Sequence, residues 1–313
     1  MQGIELSRSY YLEYGEQMMR EFEHLRPLVA IGLVGCGSEC FGFDDEISHD
    51  HDFEPSFCIF LPDEDTVSRR DAFLLERAYA KLPSEFMGFK RQKYDAVGGN
   101  RHGVIRMSDF FTEKCGSNDG NVAKKDFFAI PEQSLAEATD GEVFFDEFGR
   151  FTEIRERLSY LPEDVRIKKL AGNLLLMAQS GQYNYERCIA RGDTAAAQLA
   201  AIEFVKAAIH AIFLLNKRYM PYYKWTFRAL RDLPTLSHLA PDLENIISSG
   251  NASGEEVAEK ISAIERISLE IIARLRVDNL TDFCRDELEG HAYSVNNKIP
   301  DPEIRNLHIL YGV

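Results

Sequence analysis

Apolar runs of strand length alternate with stretches of helical periodicity in the first half of the chain. The predicted strands span residues 28–34, 51–61, 86–94, 103–107 and 142–146. The predicted helices span residues 5–25, 65–82 and 108–115. Strands interspersed with helices in this way indicate an α/β (α+β) domain.

The pattern changes near residue 151, because apolar positions then recur almost entirely at helical spacing. The predicted helices of this part span residues 165–179, 194–215, 255–277, 281–292 and 303–310. The sequence therefore predicts two domains, an α/β domain over residues 1–155 and an all-α helical bundle over residues 156–313.

One segment of the α/β part carries a pattern with chemical meaning. Gly37-Ser38 follows the strand predicted over 28–34, and Asp50 and Asp52 open the strand predicted over 51–61. Side chains two residues apart on a strand point to the same side, so both carboxylates can face one divalent cation. The Gly-Ser turn offers backbone N–H groups and a hydroxyl to phosphate oxygens.

The alternative interpretation of this segment is an acidic surface loop with a glycine turn. Two neighbouring parallel carboxylates repel each other unless a cation or a proton intervenes, which favours a metal–nucleotide site. The acids at 44–46 are further candidate ligands, although a turn before Ser48 explains them more simply. His49 and His51 leave open a His/Asp metal site of a hydrolase, which needs histidines from elsewhere in the chain.

A resemblance to the nucleotidyltransferase fold rests on Gly37-Ser38, a spacer, and Asp50-His51-Asp52-Phe53. That fold is shared by DNA polymerase beta, the aminoglycoside and lincosamide nucleotidyltransferases and the minimal nucleotidyltransferases. The full string from Gly37 to Phe53 is similar to DUF4037, a bacterial family of unknown function in that superfamily, and further similarity lies at Arg187, at 191–193 and at 219–228. The resemblance implies a nucleotidyltransferase-fold domain with a mixed sheet, followed by a helical domain.

The chain departs from the superfamily pattern in two places. Members often place a hydrophobic residue between the two aspartates, where this chain has His51, and active members commonly carry a third carboxylate on a later strand. The polar position of the strand predicted over 103–107 is Arg106, and Asp109 and Asp146 are nearby substitutes for the missing acid. The third ligand therefore stays unassigned. The alternative function is a catalytically weak or inactive nucleotide-binding module that acts as a sensor or regulator.

Two basic features of the second half have both a functional and a structural interpretation. Lys224 lies in an aromatic-rich turn, where the resemblance implies a cation for triphosphate or acceptor and the alternative is a solvated lysine at a helix start. Arg187 and Arg191 are one helical turn apart and share a face. They either meet phosphate or pair with Glu186 and Asp193.

Composition bounds the partners. Fifty-one acidic against 36 basic residues give a net charge of −15, which repels polyanions and argues against binding of duplex nucleic acid. We expect a cytoplasmic protein without a membrane partner. No apolar run is expected to reach the roughly 20 residues that span a bilayer, and the N-terminus lacks a signal-peptide pattern. The six cysteines lack zinc-site spacing and are expected to be reduced and mostly buried.

These patterns together predict a nucleotidyltransferase that depends on Mg²⁺ (or Mn²⁺). It moves a nucleoside monophosphate from an NTP to an unidentified small-molecule or protein acceptor and releases pyrophosphate. Asp50 and Asp52 are the predicted catalytic and metal-binding residues. Gly37, Ser38 and Lys224 are the predicted nucleotide-binding residues.

Overall fold

The structure of the chain is a computed structural model that describes residues 1–50, 53–91 and 102–313. For His49 and Asp50 it describes the backbone alone. Parts of the sequence prediction therefore lie outside the described residues. They are His51, Asp52 and the end of the strand predicted over 86–94.

The described residues divide into two compact units. The first consists of Met1–Val122 and Ile130–Ser159, and the second consists of Ala123–Ala129 and Tyr160–Val313. The short segment Ala123–Ala129 thus leaves the first unit, joins the second and returns.

The first unit contains all strands of the described residues. They are β1 (Ala30–Leu33), β2 (Cys58–Leu61), β3 (Glu85–Phe86), β4 (Phe89–Lys90), β5 (Gly103–Arg106) and β6 (Glu142–Asp146). Its α-helices are α1 (Gly3–Tyr10), α2 (Glu16–Arg20), α3 (Arg69–Ala80), α4 (Met107–Cys115), α5 (Glu132–Thr139) and α6 (Arg150–Arg157). A π-helical turn joins α1 to α2, so the first helical stretch runs without a break.

Four of the strands form a mixed sheet in the order β5-β2-β1-β6. β1 pairs antiparallel with both β2 and β6, whereas β2 pairs parallel with β5. This sheet confirms the predicted α/β class with a mixed sheet. Where the register shifts between Ile31 and Gly32, a side chain at Gly32 would come within 2.3 Å of the Glu142 carbonyl, so the close approach of the two strands requires glycine there.

Apolar side chains cover both faces of this sheet, because alternate residues of a strand point to opposite sides. Ile31, Ile59 and Leu61 belong to a core cluster with residues of α1 and α3. On the other face, the ring of Phe60 packs on the rings of Phe110 and Phe151, with centroid distances of 5.1 and 4.1 Å. Burial on both faces explains why β1 and β2 are continuously apolar.

The second unit is helical within the described residues. Its α-helices are α7 (Glu163–Met177), α8 (Glu186–Ala190), α9 (Thr194–Leu215), α10 (Tyr223–Arg231), α11 (Ala240–Ser248), α12 (Gly254–Val277), α13 (Leu288–Asn297) and α14 (Pro302–Arg305). A π-helix over Ala178–Tyr185 connects α7 to α8. The helical C-terminal region is therefore confirmed.

α9 corrects one expectation about membranes. It is long and apolar enough to cross a bilayer by length and composition, contrary to the expectation that no apolar run reaches that length. Its buried residues include Phe204, Ile212 and Phe213, and it packs against α7 and α11. That packing is the arrangement of a helix in a protein core.

Several predicted elements differ from the observed ones, and the helix predicted over 303–310, for example, ends at Arg305. The strand predicted over 51–61 begins only at Cys58, because Pro55 has no N–H group and the Phe57 N–H bonds to the Tyr79 hydroxyl instead of a strand. The strand predicted over 86–94 is a hairpin of β3 and β4, whose turn uses positive φ at Met87 and Gly88.

The helix predicted over 281–292 begins only at Leu288, because side chains hold the preceding backbone in a non-helical path. The Arg276 guanidinium donates hydrogen bonds to the carbonyls of Cys284 and Arg285, each at 3.1 Å. The Thr281 hydroxyl accepts from the Phe283 N–H. α5 was missed by the sequence prediction altogether.

Candidate functional site

One edge of the sheet gathers the ends of four strands. Gly32, near the end of β1, pairs with Cys58 at the start of β2, and Cys58 pairs with Gly103 at the start of β5. Leu33 pairs with Glu142 at the start of β6. The loops that follow β1 and precede β2, β5 and β6 therefore emerge at the same edge, which we call the loop edge.

The predicted Gly-Ser turn lies at this loop edge, directly after β1. Gly35 and Gly37 have φ angles of 123° and 130°, a conformation that side chains rarely adopt and that glycine permits. The Ser38 carbonyl accepts a hydrogen bond from the Phe43 N–H at 2.8 Å, which closes the turn. The Cys40 carbonyl accepts from the Gly141 N–H at 3.0 Å and so ties the loop to the start of β6.

Gly37 and Ser38 are half-buried in this loop, between an exposed Cys36 and a buried Glu39. Backbone N–H groups in a glycine turn of positive φ can converge on an anion. The binding of phosphate oxygens by this turn stays a prediction.

The acids that follow the turn have distinct partners. The Asp44 carboxylate accepts a hydrogen bond from the Gly3 N–H at the first turn of α1, at 2.8 Å through Oδ2. Its Oδ1 atom is buried, and no hydrogen-bond partner for it exists within the described part of the chain. A helix N-terminus stabilises a carboxylate, so this contact fixes the loop against α1.

Asp45 makes the turn that the sequence analysis expected before Ser48. Its Oδ1 atom accepts hydrogen bonds from the N–H groups of Ile47 and Ser48 and from the Ser48 hydroxyl, at 3.0–3.1 Å. These bonds start a 3₁₀ helix over Ile47–Asp50. The turn interpretation is confirmed for Asp45.

Asp50 is the last residue of this 3₁₀ helix, and Asp52 lies outside the described residues. The expectation that both aspartates open a strand is wrong for Asp50, since β2 begins eight positions later along the chain at Cys58. The alternation of side chains along a strand therefore gives no basis for their joint orientation. The described backbone places Asp50 in the connection between β1 and β2, and both ends of that connection lie at the loop edge.

A buried pair of ionisable side chains at the loop edge was missed by the sequence analysis. His102 Nδ1 and Glu54 Oε1 are 3.2 Å apart, and their side chains are only 11% and 16% exposed. Glu54 precedes β2 and His102 precedes β5. The pairing of these two strands brings them together although 48 positions separate them, and no local sequence signal indicates such a contact.

Aromatic residues surround Glu54 on the side of α1 and α3. The Tyr79 hydroxyl donates to the Phe57 carbonyl at 2.8 Å and accepts from the Phe57 N–H at 3.1 Å. Burial raises the pKa of Tyr79 and of Tyr10, and the nearby Arg91 guanidinium opposes that rise while the Glu54 carboxylate adds to it. The two phenols therefore stay neutral beside Glu54.

Arg106, Asp109 and Asp146 do not lie at the loop edge. Arg106 ends β5 at the opposite edge, where its guanidinium donates to the carbonyls of Pro62 and Val67 at 2.5 and 2.9 Å. Asp109 follows it in the first turn of α4. Asp146 accepts from the N–H and the hydroxyl of Thr152, both at 2.8 Å, and caps the start of α6.

The observation that suggested an inactive module, Arg106 in place of a carboxylate, therefore has a structural explanation. Arg106 secures the loop after β2, and Asp146 secures a helix. The loops at the loop edge carry other carboxylates among the described residues, including those of Glu39, Asp44, Asp45, Glu54 and Glu142, the last of which pairs with Arg8.

Lys224 belongs to the second unit. It lies in the first turn of α10 and is exposed, with its ammonium nitrogen 4.9 Å from the centroid of the Trp225 ring. The neighbouring rings of Tyr222 and Tyr223 are 4.3 Å apart, and Tyr223 is 77% exposed. The exposure of Lys224 agrees with both interpretations of the sequence, a cation that binds a ligand and a solvated lysine at a helix start.

Arg187 and Arg191 have different surroundings from one another. The Arg187 guanidinium lies over the Tyr183 ring, 4.6 Å from its centroid, and donates to the Tyr183 hydroxyl. Arg191 lies at the C-terminal end of α8. Asp193 caps α9 by accepting from the Ala196 N–H at 2.9 Å, which is a structural role.

A metal site of the hydrolase type has no support within the described ranges 1–50, 53–91 and 102–313. No group of three or more His, Cys, Asp or Glu side chains there is arranged to hold a metal ion. His49 and His51, on which the hydrolase alternative was based, fall among the positions whose side chains are not described.

Comparisons with known proteins bear on the fold and the resemblance. The family model for a domain of unknown function (DUF4037) matches residues 127–226, and no curated protein matches the chain. Among solved structures, the chain is similar to a nucleotidyltransferase-like protein from Exiguobacterium sibiricum 255-15, with 10% sequence identity, a TM-score of 0.36 and coverage of 91% of this chain and 89% of that chain. The resemblance to DUF4037 stated from the sequence is thus found again over residues 127–226.

Proposed function

We propose that this chain is a divalent-cation-dependent nucleotidyltransferase that moves a nucleoside monophosphate from an NTP to a small-molecule or protein acceptor. The observation that carries the proposal is the common location of two features. The Gly37-Ser38 turn and Asp50 lie in one connection between β1 and β2, both ends of which are at the loop edge, and Asp52 belongs to the same connection by sequence. An anion-binding turn beside paired acids suits a phosphate chain with a bound cation.

The donor chemistry of this edge fits Mg²⁺ or Mn²⁺. Carboxylate oxygens are hard ligands, which these cations prefer over nitrogen and sulfur. The buried Oδ1 atom of Asp44, without a hydrogen-bond partner within the described residues, supports a positive group beside the loop. In the proposal Asp50 and Asp52 hold the cation. When bound, the cation neutralises phosphate charge and orients the reacting oxygen.

The remaining roles belong to side chains and backbone of the chain. The N–H groups of Gly37 and Ser38 and the Ser38 hydroxyl bind oxygens of the β- and γ-phosphates. Lys224 contributes a positive charge for triphosphate or acceptor, a role supported by its exposure beside aromatic rings within the region matched by the family model. Acid-rich composition, with a net charge of −15, favours a small or protein acceptor over duplex nucleic acid.

The test is an assay of pyrophosphate release. Purified chain is incubated with labelled ATP, GTP, CTP or UTP and Mg²⁺ or Mn²⁺ in the presence of a cell extract that supplies acceptors. We expect release with at least one NTP, and a loss of at least about 100-fold in Asp50→Ala and in Asp52→Ala, since a metal ligand contributes several kcal/mol to the transition state.

Asp65→Ala is the matched control, because it removes an exposed acid from the loop after β2, at the opposite edge of the sheet. It should release pyrophosphate at the rate of the unmodified chain. Saturable NTP binding without release would instead support the nucleotide-binding module. Absence of both binding and release contradicts the proposal.

A further inference from the structure

The Glu54–His102 pair has no role in the site as proposed so far, although it lies at the same loop edge. Gly103, the residue after His102, pairs with Cys58, which in turn pairs with Gly32 of β1. Neighbouring strands are about 4.8 Å apart, so the start of β5 lies about 10 Å across the sheet from the end of β1. A nucleotide bound at the Gly-Ser turn can reach across such a distance.

The fold holds both partners firmly. The segment after Glu54 is fixed at two points, because the Ser7 hydroxyl donates to the Ser56 carbonyl at 2.5 Å and the Tyr79 hydroxyl bonds to both backbone groups of Phe57. The start of β5 is fixed to the same segment, since the Gly103 N–H donates to the Phe57 carbonyl at 3.0 Å. Glu54 and His102 therefore meet across a rigid connection.

A carboxylate bound to one imidazole nitrogen determines the chemistry of the other. An ionised Glu54 carboxylate can only accept, so its 3.2 Å contact with Nδ1 of His102 favours the neutral tautomer in which Nδ1 carries the proton and Nε2 a lone pair. The same arrangement of carboxylate and imidazole makes histidine a general base in hydrolases of unrelated fold. Among the described residues, Tyr10 and Tyr79 lie near Glu54, and the Arg91 guanidinium lies near both phenols.

A purely structural role explains the pair less well. Burying an ion pair gives little net stability, since the loss of hydration offsets the attraction. The segment is already held by the Ser7 and Tyr79 hydrogen bonds. A role in proton transfer explains better why a nearly buried imidazole–carboxylate pair lies at the edge where the reaction is proposed to occur.

We propose that His102 is the general base that deprotonates the acceptor and that Glu54 is the residue that positions it. This inference rests on the proposed nucleotidyltransferase function. Nε2 of His102 takes the proton of the acceptor hydroxyl while the acceptor oxygen forms a bond to the α-phosphorus. The bond between that phosphorus and the oxygen bridging to the β-phosphate breaks, and pyrophosphate leaves with the electron pair. His102 then returns the proton to solvent, so the residue is unchanged after each turnover.

The role supplies the acid–base function that a third carboxylate was expected to provide. It also limits the acceptor to a group that carries a removable proton on an attacking oxygen or nitrogen. A hydroxyl is the group for which a base of this kind contributes most.

The experiment compares His102→Gln, Glu54→Gln and His238→Gln in the full chain. Pyrophosphate release is measured with the NTP that the unmodified chain uses, and binding is measured with the analogue in which a methylene group replaces the oxygen between the α- and β-phosphates. We expect His102→Gln to lower release by about 10²–10⁴-fold while binding of the analogue is unchanged. Added imidazole should restore part of the release in His102→Ala.

His238→Gln is the matched control, because it removes an exposed imidazole of the second unit and leaves the pair and the contacts that hold it unchanged. It should keep the release rate of the folded protein. For Glu54, the readout is the split between rate and binding. Glu54→Gln should lower the release rate of the folded protein without changing binding of the analogue, whereas loss of a merely structural contact would lower stability and leave that rate unchanged.

The outcomes separate the two proposals. Full release in His102→Gln, or no rescue of His102→Ala by imidazole, overturns the role of His102 and leaves the nucleotidyltransferase proposal standing. Absence of release in the unmodified chain overturns the transfer function, and the assignment of His102 fails with it.

Discussion

The buried Lys168 of the second unit is satisfied by neutral acceptors rather than by an acid. The Lys168 ammonium donates to Asn296 Oδ1 and to the carbonyls of Arg305 and Leu307, at 2.6–3.1 Å. Burial lowers the pKa of Lys168. Each of the three N–H donors of the ammonium group has a fixed acceptor. Lys168 therefore links α7 to α13 and to the C-terminal residues and has a structural role rather than that of a reactive amine.

His291 on α13 is a second buried group, and it predicts a dependence of stability on pH. Its Nε2–H donates to the Arg285 carbonyl at 2.7 Å and its Nδ1 accepts from the Thr281 hydroxyl at 2.9 Å. Burial lowers the pKa of His291 below its ordinary 6.5, an effect that the carbonyl contact opposes. The folded chain therefore stays neutral at this site when the unfolded chain takes up a proton.

We expect the free energy of unfolding to fall as the pH decreases below 6.5, because the unfolded state then binds more protons than the folded state. One such group contributes a slope of at most about 1.4 kcal/mol per pH unit. The measurement is urea unfolding between pH 7.5 and about 5, and His291→Gln should show a shallower dependence. His238→Gln removes an exposed imidazole of the same unit, and an equally shallow curve for that variant would contradict the assignment.

The sequence predicted which acids lie in the loop after β1, but it did not predict that they have different structural roles. The acids at 44–46 are visible in the sequence as one cluster. Only the folded loop separates Asp45, which makes the turn, from Asp44, which bonds to the first turn of α1. The distinction depends on α1, which is distant along the chain.

At the scale of elements, glycine determines how closely the π-helix over Ala178–Tyr185 approaches α9. A side chain carbon at Gly181 would lie 2.3 Å from the buried ring of Phe204. The core at this position is closed, so the ring has no free space into which it can move.

We therefore expect Gly181→Ala to lower the free energy of unfolding by about 1–3 kcal/mol through overpacking. Gly254→Ala is the matched control, because Gly254 begins α12 with no atom within 4 Å of an added side chain. That change should be neutral or raise stability by up to about 1 kcal/mol. Thermal and urea unfolding of both variants measure the difference, and equal destabilisation of the two would refute the packing explanation.

Element prediction succeeded where helical periodicity was long and failed where side chains replace backbone partners. α9 was predicted over 194–215 and observed over Thr194–Leu215. β2 was predicted seven residues too long. Pro55 has no N–H group, and the Phe57 N–H donates to the Tyr79 hydroxyl, so neither residue offers an N–H group to a strand. Periodicity detects which face is buried but not which group accepts each hydrogen bond.

At the scale of the whole molecule, one position in the sequence does not separate the two units, because the chain passes between them more than once. The segment Ala123–Ala129 belongs to the second unit, where Lys124 pairs with Asp164 at 2.7 Å and Lys125 with Glu303 at 2.8 Å. In the same unit the rings of Phe128 and Tyr311 are in edge-to-face contact at 5.1 Å.

This path predicts the behaviour of fragments. A fragment of residues 1–155 should aggregate, because it exposes Phe127 and Phe128 and lacks Leu158, which is completely buried. A fragment of residues 1–159 in which a glycine–serine linker replaces 123–129 should be monomeric and unfold cooperatively. Size-exclusion chromatography and thermal unfolding make the comparison, and equal solubility of the two fragments would contradict it.

The sequence by itself determined the class of each half of the chain and drew attention to the segment with Gly37, Ser38, Asp50 and Asp52. Both depend on local information, namely periodicity and the residue types that phosphate and cation chemistry require. The tertiary structure alone decided which loops share one edge of the sheet. Strand order and register set that arrangement, and through them Glu54 meets His102 while Arg106 and Asp146 are held at the opposite edge. Contacts between distant positions depend on how the strands pair, and no local pattern in the chain specifies that pairing.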